Sequence, residues 1–245
     1  MYGFDGRLFA CENDAEILSR ISKKNGYNYE MLLTQDATRH NITSLLDDFA
    51  DKLEAGDKLL ITYSGHGSQI KSSPNDFEPE PDNMDETWCL YDGQFVDNEL
   101  AHQFSKFKSG VCILLISDSC HSGTIAKDFS KGSRFLPQEL LNNASCRKVI
   151  PISKDERTIA ASLKTFAGCQ DNQLSYEENG QGIFTKNLFD AWEEEEAHWE
   201  VTTTDEYLKL FKKIVKRMPE NQSPAYTQDG QRNNKLFNLT KPFTI

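Results

Sequence analysis

Two apolar runs of strand length stop abruptly at small, polar and reactive residues. Leu114-Leu115-Ile116 runs into Ser117-Asp118-Ser119-Cys120-His121-Ser122-Gly123, and Lys58-Leu59-Leu60-Ile61-Thr62-Tyr63-Ser64 runs into Gly65-His66-Gly67-Ser68-Gln69. A continuous apolar run of this length reads as a strand buried on both faces, as in a parallel sheet. In open α/β sheets chemistry collects outside the carboxyl ends of the strands. His66 and Cys120 therefore stand where a reacting pair belongs.

Helical spacing surrounds these runs. Asn13 is positioned to cap a helix over 14–24, with Ile17, Leu18 and Ile21 on one face and Asn25-Gly26 at its end. Met31-Leu32-Leu33 reads as a short strand, and Ile42, Leu45, Leu46, Phe49 and Leu53 recur at helical spacing over 38–55. Residues 70–86, rich in Pro, Asp, Glu, Asn and Ser, predict a long polar loop, followed by a strand at 88–91, a turn at Asp92-Gly93 and a helix over 97–107. After a strand over 111–117, residues 124–157 form a second mostly polar stretch carrying Lys127, Lys131, Arg134, Arg147, Lys148, Lys154 and Arg157. A small-residue strand is expected over 158–163, then a helix from Thr185 through Trp192 whose run Glu193 to Glu196 is a solvated face. The spacing next predicts a helix over 205–218, a polar loop over 221–234 and a last strand at 236–239. Strands and helices alternate, which predicts a mostly parallel sheet with helices on both faces.

The chain has 245 residues, enough for one large α/β domain in preference to two small ones. Lys plus Arg number 27 against 38 Asp plus Glu, a formal net charge of -11, which argues against a nucleic-acid or anionic-membrane partner and suits cationic ligands or metal ions. No stretch of about 18 apolar residues is present, and residues 1–10 lack the order of a signal peptide, so a cytosolic protein is expected. Cys11, Cys89, Cys112, Cys120, Cys146 and Cys169 have no paired spacing, so free thiols are expected, and without a CxxC pair a structural zinc site has little support.

If the two apolar strands are neighbours, His66 and Cys120 meet above the carboxyl edge of the sheet. A cysteine is a competent nucleophile only as thiolate, and a neighbouring imidazole both generates the thiolate and later protonates a leaving amine. Gly67 has no side chain to block its backbone N–H, and that N–H with the N–H of Cys120 makes a candidate oxyanion hole. Taken singly, such a Cys is more often a small core residue and such a His a turn residue. His121 is a rival base, disfavoured because consecutive residues beyond a strand diverge.

Tyr63-Ser64-Gly65-His66-Gly67-Ser68-Gln69 together with Asp118-Ser119-Cys120-His121-Ser122-Gly123 resembles the His and Cys motifs of metacaspases, caspase-like cysteine peptidases. The resemblance extends, in the family's order, to Cys11-Glu12-Asn13-Asp14-Ala15, Asp82-Asn83-Met84-Asp85-Glu86, Asp97-Asn98-Glu99-Leu100, Cys169-Gln170-Asp171-Asn172-Gln173 and Gly182-Ile183-Phe184-Thr185. The Cys motif lacks the Gln-Ala that precedes the cysteine of animal caspases.

The resemblance implies a caspase-like three-layer α/β/α sandwich spanning 1–245 as one peptidase domain, with a large-subunit-like part to about 123, a linker over 124–157 and a small-subunit-like part over 158–245. It implies an endopeptidase cutting protein or peptide substrates after Arg or Lys, with His66 as general base and Cys120 as nucleophile. Asp118 and Asp14 are then the carboxylates that clamp the substrate's cation, with Cys11 and Ser64 shaping the pocket. On a bland view Asp118 caps a loop, Asp14 stabilises a helix N-terminus and Cys11 is a core residue.

Calcium is the family's usual activator and takes six to eight hard oxygens. Asp82, Asp85, Glu86, Asp97, Asn98 and Asp128 are the candidate ligands, although Asn98 and Lys127 stand where aspartates are expected and Asp128 is displaced by one place. The rival view is a solvated acidic loop. No organic cofactor is implied, and a monomer is expected. Family members begin with an apolar strand that residues 1–10 do not supply: either the chain is truncated, or that strand belongs to a separate chain, or the sheet lacks it, and a missing central strand would leave an open edge. Basic residues between Lys127 and Arg157 invite self-processing. The alternatives are a caspase-like peptidase preferring acidic P1 residues and a catalytically silent caspase-fold scaffold or regulator.

Overall fold

Helix α1 (Cys11–Lys24) leads through a short 3-10 turn at Thr34–Asp36 into α2 (Arg39–Lys52) and the first strand, β1 (Lys58–Ser64). Strands β2 (Gly67–Lys71), β3 (Met84–Leu90) and β4 (Gly93–Val96) follow, then α3 (Asp97–Ser105) and β5 (Cys112–Asp118). The remainder comprises β6 (Ser162–Ala167), a two-residue hairpin of β7 (Glu177–Glu178) and β8 (Gln181–Gly182), α4 (Ile183–Glu196), α5 (Glu206–Val215), β9 (Ala225–Gly230) and α6 (Lys235–Asn238). This computed structural model describes residues 8–72, 84–120, 134, 158–170, 175–202 and 204–245.

The main sheet has the order β1-β5-β6-β9, with β1, β5 and β6 parallel and β9 antiparallel. Every residue of β5 is buried, which is why this strand reads as an uninterrupted apolar run. Its side chains alternate between two cores, as a pleated strand requires. Leu114 and Ile116 pack with Leu18 and Ile21 of α1, Leu188 of α4 and Leu210 and Ile214 of α5. Ile113 and Leu115 pack with Leu46 and Ala50 of α2 and Leu100 and Phe104 of α3. The expected α/β/α sandwich is thus borne out, its sheet held between α1, α4 and α5 on one face and α2 and α3 on the other. Truncating any of these leucines to alanine is expected to cost about 2–5 kcal/mol.

Strands β2, β3 and β4 make a separate antiparallel sheet. It begins directly beyond β1, where Gly67-Ser68-Gln69 pairs with Glu86-Thr87-Trp88, so the residue after His66 is held by strand pairing. The segment expected as a polar loop over 70–86 is therefore strand at both ends, and residues 73–83 lie outside the described residues.

Other elements differ from expectation for identifiable reasons. Helix α1 starts at Cys11 behind Ala10, which makes no side-chain cap; Asn13 donates instead from Nδ2 to the Gly180 carbonyl at 2.8 Å. Met31-Leu32-Leu33 forms no strand, because the chain turns into the 3-10 segment there. The strand expected over 158–163 lies at 162–167, where Lys164 is a core residue paired with Asp205 at 2.6 Å. Within 221–234 lies β9, the antiparallel partner of β6, and 236–239 is not a strand: α6 is a helical turn whose Phe237 N–H is capped by Asn234 Oδ1 at 3.2 Å. The five described cysteines, Cys11, Cys89, Cys112, Cys120 and Cys169, are free thiols.

The side of β1 away from β5 has no strand partner among the described residues. A cavity of about 560 Å³ is lined by β1 with Leu18 and Ser22 of α1 and Leu46 and Phe49 of α2. These helices cover opposite faces of the sheet, so the cavity sits beside the edge of β1 that has no strand partner among the described residues.

Candidate active site

Strands β1 and β5 are adjacent and in register, with Ser64 opposite Asp118. His66 and Cys120 follow their strands by the same two residues, at the carboxyl edge of the sheet. The Gly65 N–H donates to the Asp118 carbonyl at 3.3 Å, so the pairing continues past the strand ends. His66 is 8% exposed and Cys120 is fully buried. The His66 backbone is fixed by its carbonyl, which accepts from the Tyr63 hydroxyl at 2.7 Å and from the Cys89 N–H at 2.9 Å. The Cys120 thiol sits against the backbone of one residue: Sγ accepts from the Ser175 N–H at 2.5 Å and donates to the Ser175 carbonyl at 3.2 Å.

Gly67 lies against the Cys120 backbone. A Cβ on Gly67 would fall 1.7 Å from the Cys120 carbonyl oxygen, so only glycine brings this N–H so close to the cysteine. That N–H donates at 2.8 Å to the carbonyl of Arg134, a residue expected to be in a polar stretch.

Arg134 is fully buried. Its Nη2 lies 2.5 Å from Asp14 Oδ2. Its Nη1 donates to Ser64 Oγ at 2.6 Å and to the Asp118 carbonyl at 2.8 Å, and stands 3.7 Å from Asp118 Oδ2. The Arg134 backbone N–H donates to the Ser175 carbonyl at 2.9 Å. Asp14, Ser64 and Asp118, selected from sequence as the pocket for a substrate cation, thus surround a guanidinium belonging to the chain itself. Burial acts against the charge on Arg134, but Asp118, then Asp14 and Cys11, outweigh it and hold the guanidinium above its usual range.

The pocket carboxylates are themselves oriented. Asp118 Oδ2 accepts from the Thr185 N–H at 3.0 Å and its hydroxyl at 2.7 Å, and Oδ1 accepts from the Ser175 hydroxyl at 2.7 Å. Thr185 is in the first turn of α4, where free backbone N–H groups favour a carboxylate. Asp14 Oδ1 accepts from the Gly182 N–H at 2.9 Å and Oδ2 from the Ser64 hydroxyl at 2.7 Å. Burial, opposed by Arg134, pushes the Asp14 carboxyl up. Cys11 borders the group: burial pushes its thiol up to about 12, with Arg134 opposing.

Sequence reasoning placed Arg134 only among the basic residues inviting self-processing, and gave no role to Ser175, Gly182, Thr185 or Gln222. Gly182 and Thr185 lie in a stretch already matched to the family, but Gln222 carried no signal; its amide nitrogen donates to the Gly168 carbonyl at 2.8 Å and to the Ser175 hydroxyl at 2.9 Å. The rival base His121 lies outside the described residues.

Four of the calcium candidates, Asp85, Glu86, Asp97 and Asn98, lie among the described residues. Asp85, buried on β3, accepts from the Ser72 hydroxyl at 2.7 Å. Glu86, its neighbour on the strand, accepts from the Gln69 side chain at 3.4 Å, and Asp97 accepts from the Asn98 N–H at 2.7 Å. Among the described residues there is no group of three or more His, Cys, Asp or Glu able to hold a metal ion. Asp82 and Asp128 lie outside the described residues.

The model of the caspase domain family matches residues 2–243. The chain belongs to the caspase domain family. It is similar to Metacaspase-1 of Mycosarcoma maydis, with 34% identity over 137 residues, and to Metacaspase-1A of Neurospora crassa, with 33% over 138 residues. These alignments take in 50% of this chain and 33% and 30% of the relatives, so the match spans about a third of their length. Among solved structures, protein GSU0716 from Geobacter sulfurreducens superposes with a TM-score of 0.81 at 35% identity, covering 98% of this chain and 91% of that one. Caspase-1 from Spodoptera frugiperda shares the fold at a TM-score of 0.52 and 14% identity, over 90% of this chain and 79% of that one. The resemblance to metacaspases read from the sequence is borne out by these relatives. Together the likenesses support a cysteine peptidase.

Proposed function

We propose that this caspase-domain chain is a cysteine endopeptidase that cuts peptide bonds after arginine or lysine, with Cys120 as nucleophile and His66 as its acid–base partner. The observation that carries the reading is the seat of the Arg134 guanidinium against Asp14 Oδ2 at 2.5 Å and Ser64 Oγ at 2.6 Å, with its carbonyl on the Gly67 N–H at 2.8 Å. A cation in an acidic pocket and a polarised carbonyl beside the cysteine are what attack on a basic P1 residue requires.

The thiol gives its proton to His66 and Sγ attacks the P1 carbonyl carbon. The oxyanion that forms is stabilised by the Gly67 N–H and, in this proposal, by the Cys120 N–H. His66 then protonates the departing amine, and water hydrolyses the thioester. An acidic P1 side chain would face Asp14 and Asp118 across a buried pocket and be repelled. Calcium enters the proposal as an activator only, on the family resemblance.

The test compares wild type with Cys120→Ala on an Arg-ending fluorogenic peptide, with and without calcium, alongside labelling by an Arg-derived chloromethyl ketone. Turnover and labelling are expected in wild type and absent from Cys120→Ala. Unchanged turnover in the variant overturns the assignment of the nucleophile, and no enhanced thiol labelling in wild type points to a silent module.

A further inference from the structure

Helix α1 begins without a cap of its own: Ala10 offers no side-chain acceptor, and the first N–H groups of a helix need one. The acceptor comes from far along the chain. Glu177 takes the Phe9 N–H on Oε1 at 2.9 Å and on Oε2 at 3.2 Å, and the Ala10 N–H on Oε2 at 3.1 Å. A carboxylate at this end also answers the positive pole of the helix dipole. Glu177 opens β7, and its partner across the hairpin is Gly182, whose N–H donates to Asp14 Oδ1 at 2.9 Å. One rung of the hairpin thus holds both the start of α1 and the carboxylate one turn inside it. Asn13 adds a third tie, from Nδ2 to the Gly180 carbonyl at 2.8 Å. The hairpin closes through Asn179-Gly180, whose φ angles of 53° and 74° are both positive, as a two-residue type I′ turn requires. Its two short strands are therefore held in fixed register.

We propose that Glu177 is a positioning residue for substrate specificity: by capping α1 against the hairpin it fixes the Asp14 carboxylate where a basic P1 side chain is read. The inference rests on the reading of the site as a peptidase with basic P1 preference. Asp14 Oδ2 meets a guanidinium at 2.5 Å, and a misplacement of about 1 Å in such a pairing is costly. Asp14 rides on the first turn of α1, its N–H donating to the Ala10 carbonyl at 2.8 Å, so the seat of that turn decides where the carboxylate lies. Asp118 is aimed separately, by β5 and by Thr185. Ser175, which holds the Cys120 thiol, stands two residues before Glu177 but is tied to Asp118 and Gln222 through its own hydroxyl. Loosening the Glu177 cap therefore moves one of the two pocket carboxylates and leaves the thiol in place. The loss falls on binding of the cation and not on the chemical step.

The experiment measures kcat and KM for an Arg-ending fluorogenic peptide and its citrulline analogue in the full chain, as wild type, Glu177→Ala, Glu177→Gln and Asn13→Ala. The Arg-to-citrulline ratio of kcat/KM does not depend on how much of each preparation is folded. Glu177→Ala is expected to raise KM for the Arg peptide about tenfold and to lower the ratio by the same factor, with kcat unchanged. A neutral acceptor is worth about half a charged one, so Glu177→Gln is expected to restore most of the loss and stand about threefold below wild type. Asn13→Ala lowers the ratio in the same direction, and the Asn13→Ala, Glu177→Ala double variant loses less than the product of the two, because both act through one docking. Where Glu177→Ala does not fold, Glu177→Gln and Asn13→Ala carry the test. A lowered urea midpoint with an unchanged ratio overturns the proposal, since Glu177 then holds the fold and nothing more. A fall in kcat that is equal for both peptides overturns it too. Absence of Arg preference in wild type overturns the reading on which it rests, whereas a preference that wild type shows and every variant keeps overturns the positioning role alone.

Discussion

Asp118 Oδ2 accepts from both the backbone N–H and the hydroxyl of Thr185, at 3.0 and 2.7 Å, so the first turn of α4 aims a carboxylate that β5 delivers. Sheet and helix thus meet at one side chain, and the pocket's charge depends on both.

Asp118→Asn removes that charge without changing shape. Breaking a buried, hydrogen-bonded charge pair costs about 2–5 kcal/mol, and about 2.7 kcal/mol corresponds to roughly 100-fold in binding or rate. The ratio of kcat/KM for an Arg peptide over its uncharged citrulline analogue is expected to fall by about 100-fold. An unchanged ratio in a folded variant would show that Asp118 does not read the cation.

Gly182→Ala places a Cβ 2.3 Å from Asp118 Oδ2 and 2.8 Å from Asp14 Oδ2. Neither carboxylate can retreat without losing its hydrogen bonds, so hydrolysis of the Arg peptide is expected to fall at least tenfold while circular dichroism still reports the native fold. Wild-type kinetics in this variant would contradict the packed pocket.

Cys11 gives the pH test. Its thiol is held up at about 12 from an ordinary value of 9.0, so the reactive thiolate is scarce until the solution is strongly alkaline. Iodoacetamide at pH 8–9 is expected to modify Cys11 more slowly than a free thiol, with labelling rising only as the pH approaches about 12. Mass spectrometry of timed samples reads this directly, and rapid labelling near pH 8 would refute it.

Asp205 tests the fold. It caps α5 by accepting from the Tyr207 and Leu208 N–H groups at 3.0 and 3.2 Å, pairs with buried Lys164 at 2.6 Å and accepts from the Tyr226 hydroxyl at 2.7 Å. Asp205→Ala leaves a buried cation without its partner and is expected to cost about 3–5 kcal/mol, read as a lower urea midpoint. Burial pushes this carboxyl up, but Lys164 and Tyr226 outweigh it and hold it below its usual value. Its stabilisation is therefore complete above the unfolded carboxyl's pKa of about 3.9 and is lost as the pH falls through the lower folded value. The gap between wild type and variant should close in that acid range.

Among the described residues the side of β1 away from β5 pairs with no strand, and an unpaired strand edge is an aggregation hazard. Thr62, exposed on β1, is a place to blunt it. Thr62→Lys is expected to lower light scattering at a given concentration without lowering the urea midpoint; unchanged scattering would mean that the edge does not drive association.

What the sequence made legible follows from burial. Strand β1 and the central β5 could be read almost to the residue because both cores demand apolar side chains along them, and their abrupt ends marked His66 and Cys120. Strand β9 was not legible, because Ala225–Gly230 is a half-exposed edge of polar residues. Strand β6 was displaced in the reading because Lys164 is a cation in the core, tolerated only through Asp205 far along the chain. Asp14, Ser64 and Asp118 were found through the family resemblance, and the structure brings them together around one cation. Arg134 could not be singled out among its basic neighbours: which one reaches the pocket is decided by a long-range contact that no local pattern encodes.

The most direct test of the account is a P1 scan after incubation with and without calcium, measuring kcat/KM for otherwise identical peptides ending in Arg, Lys, citrulline and Asp. The account predicts Cys120-dependent hydrolysis confined to Arg and Lys, at least about 100-fold above Asp. Hydrolysis after Asp equal to that after Arg, or turnover that survives Cys120→Ala, would contradict it.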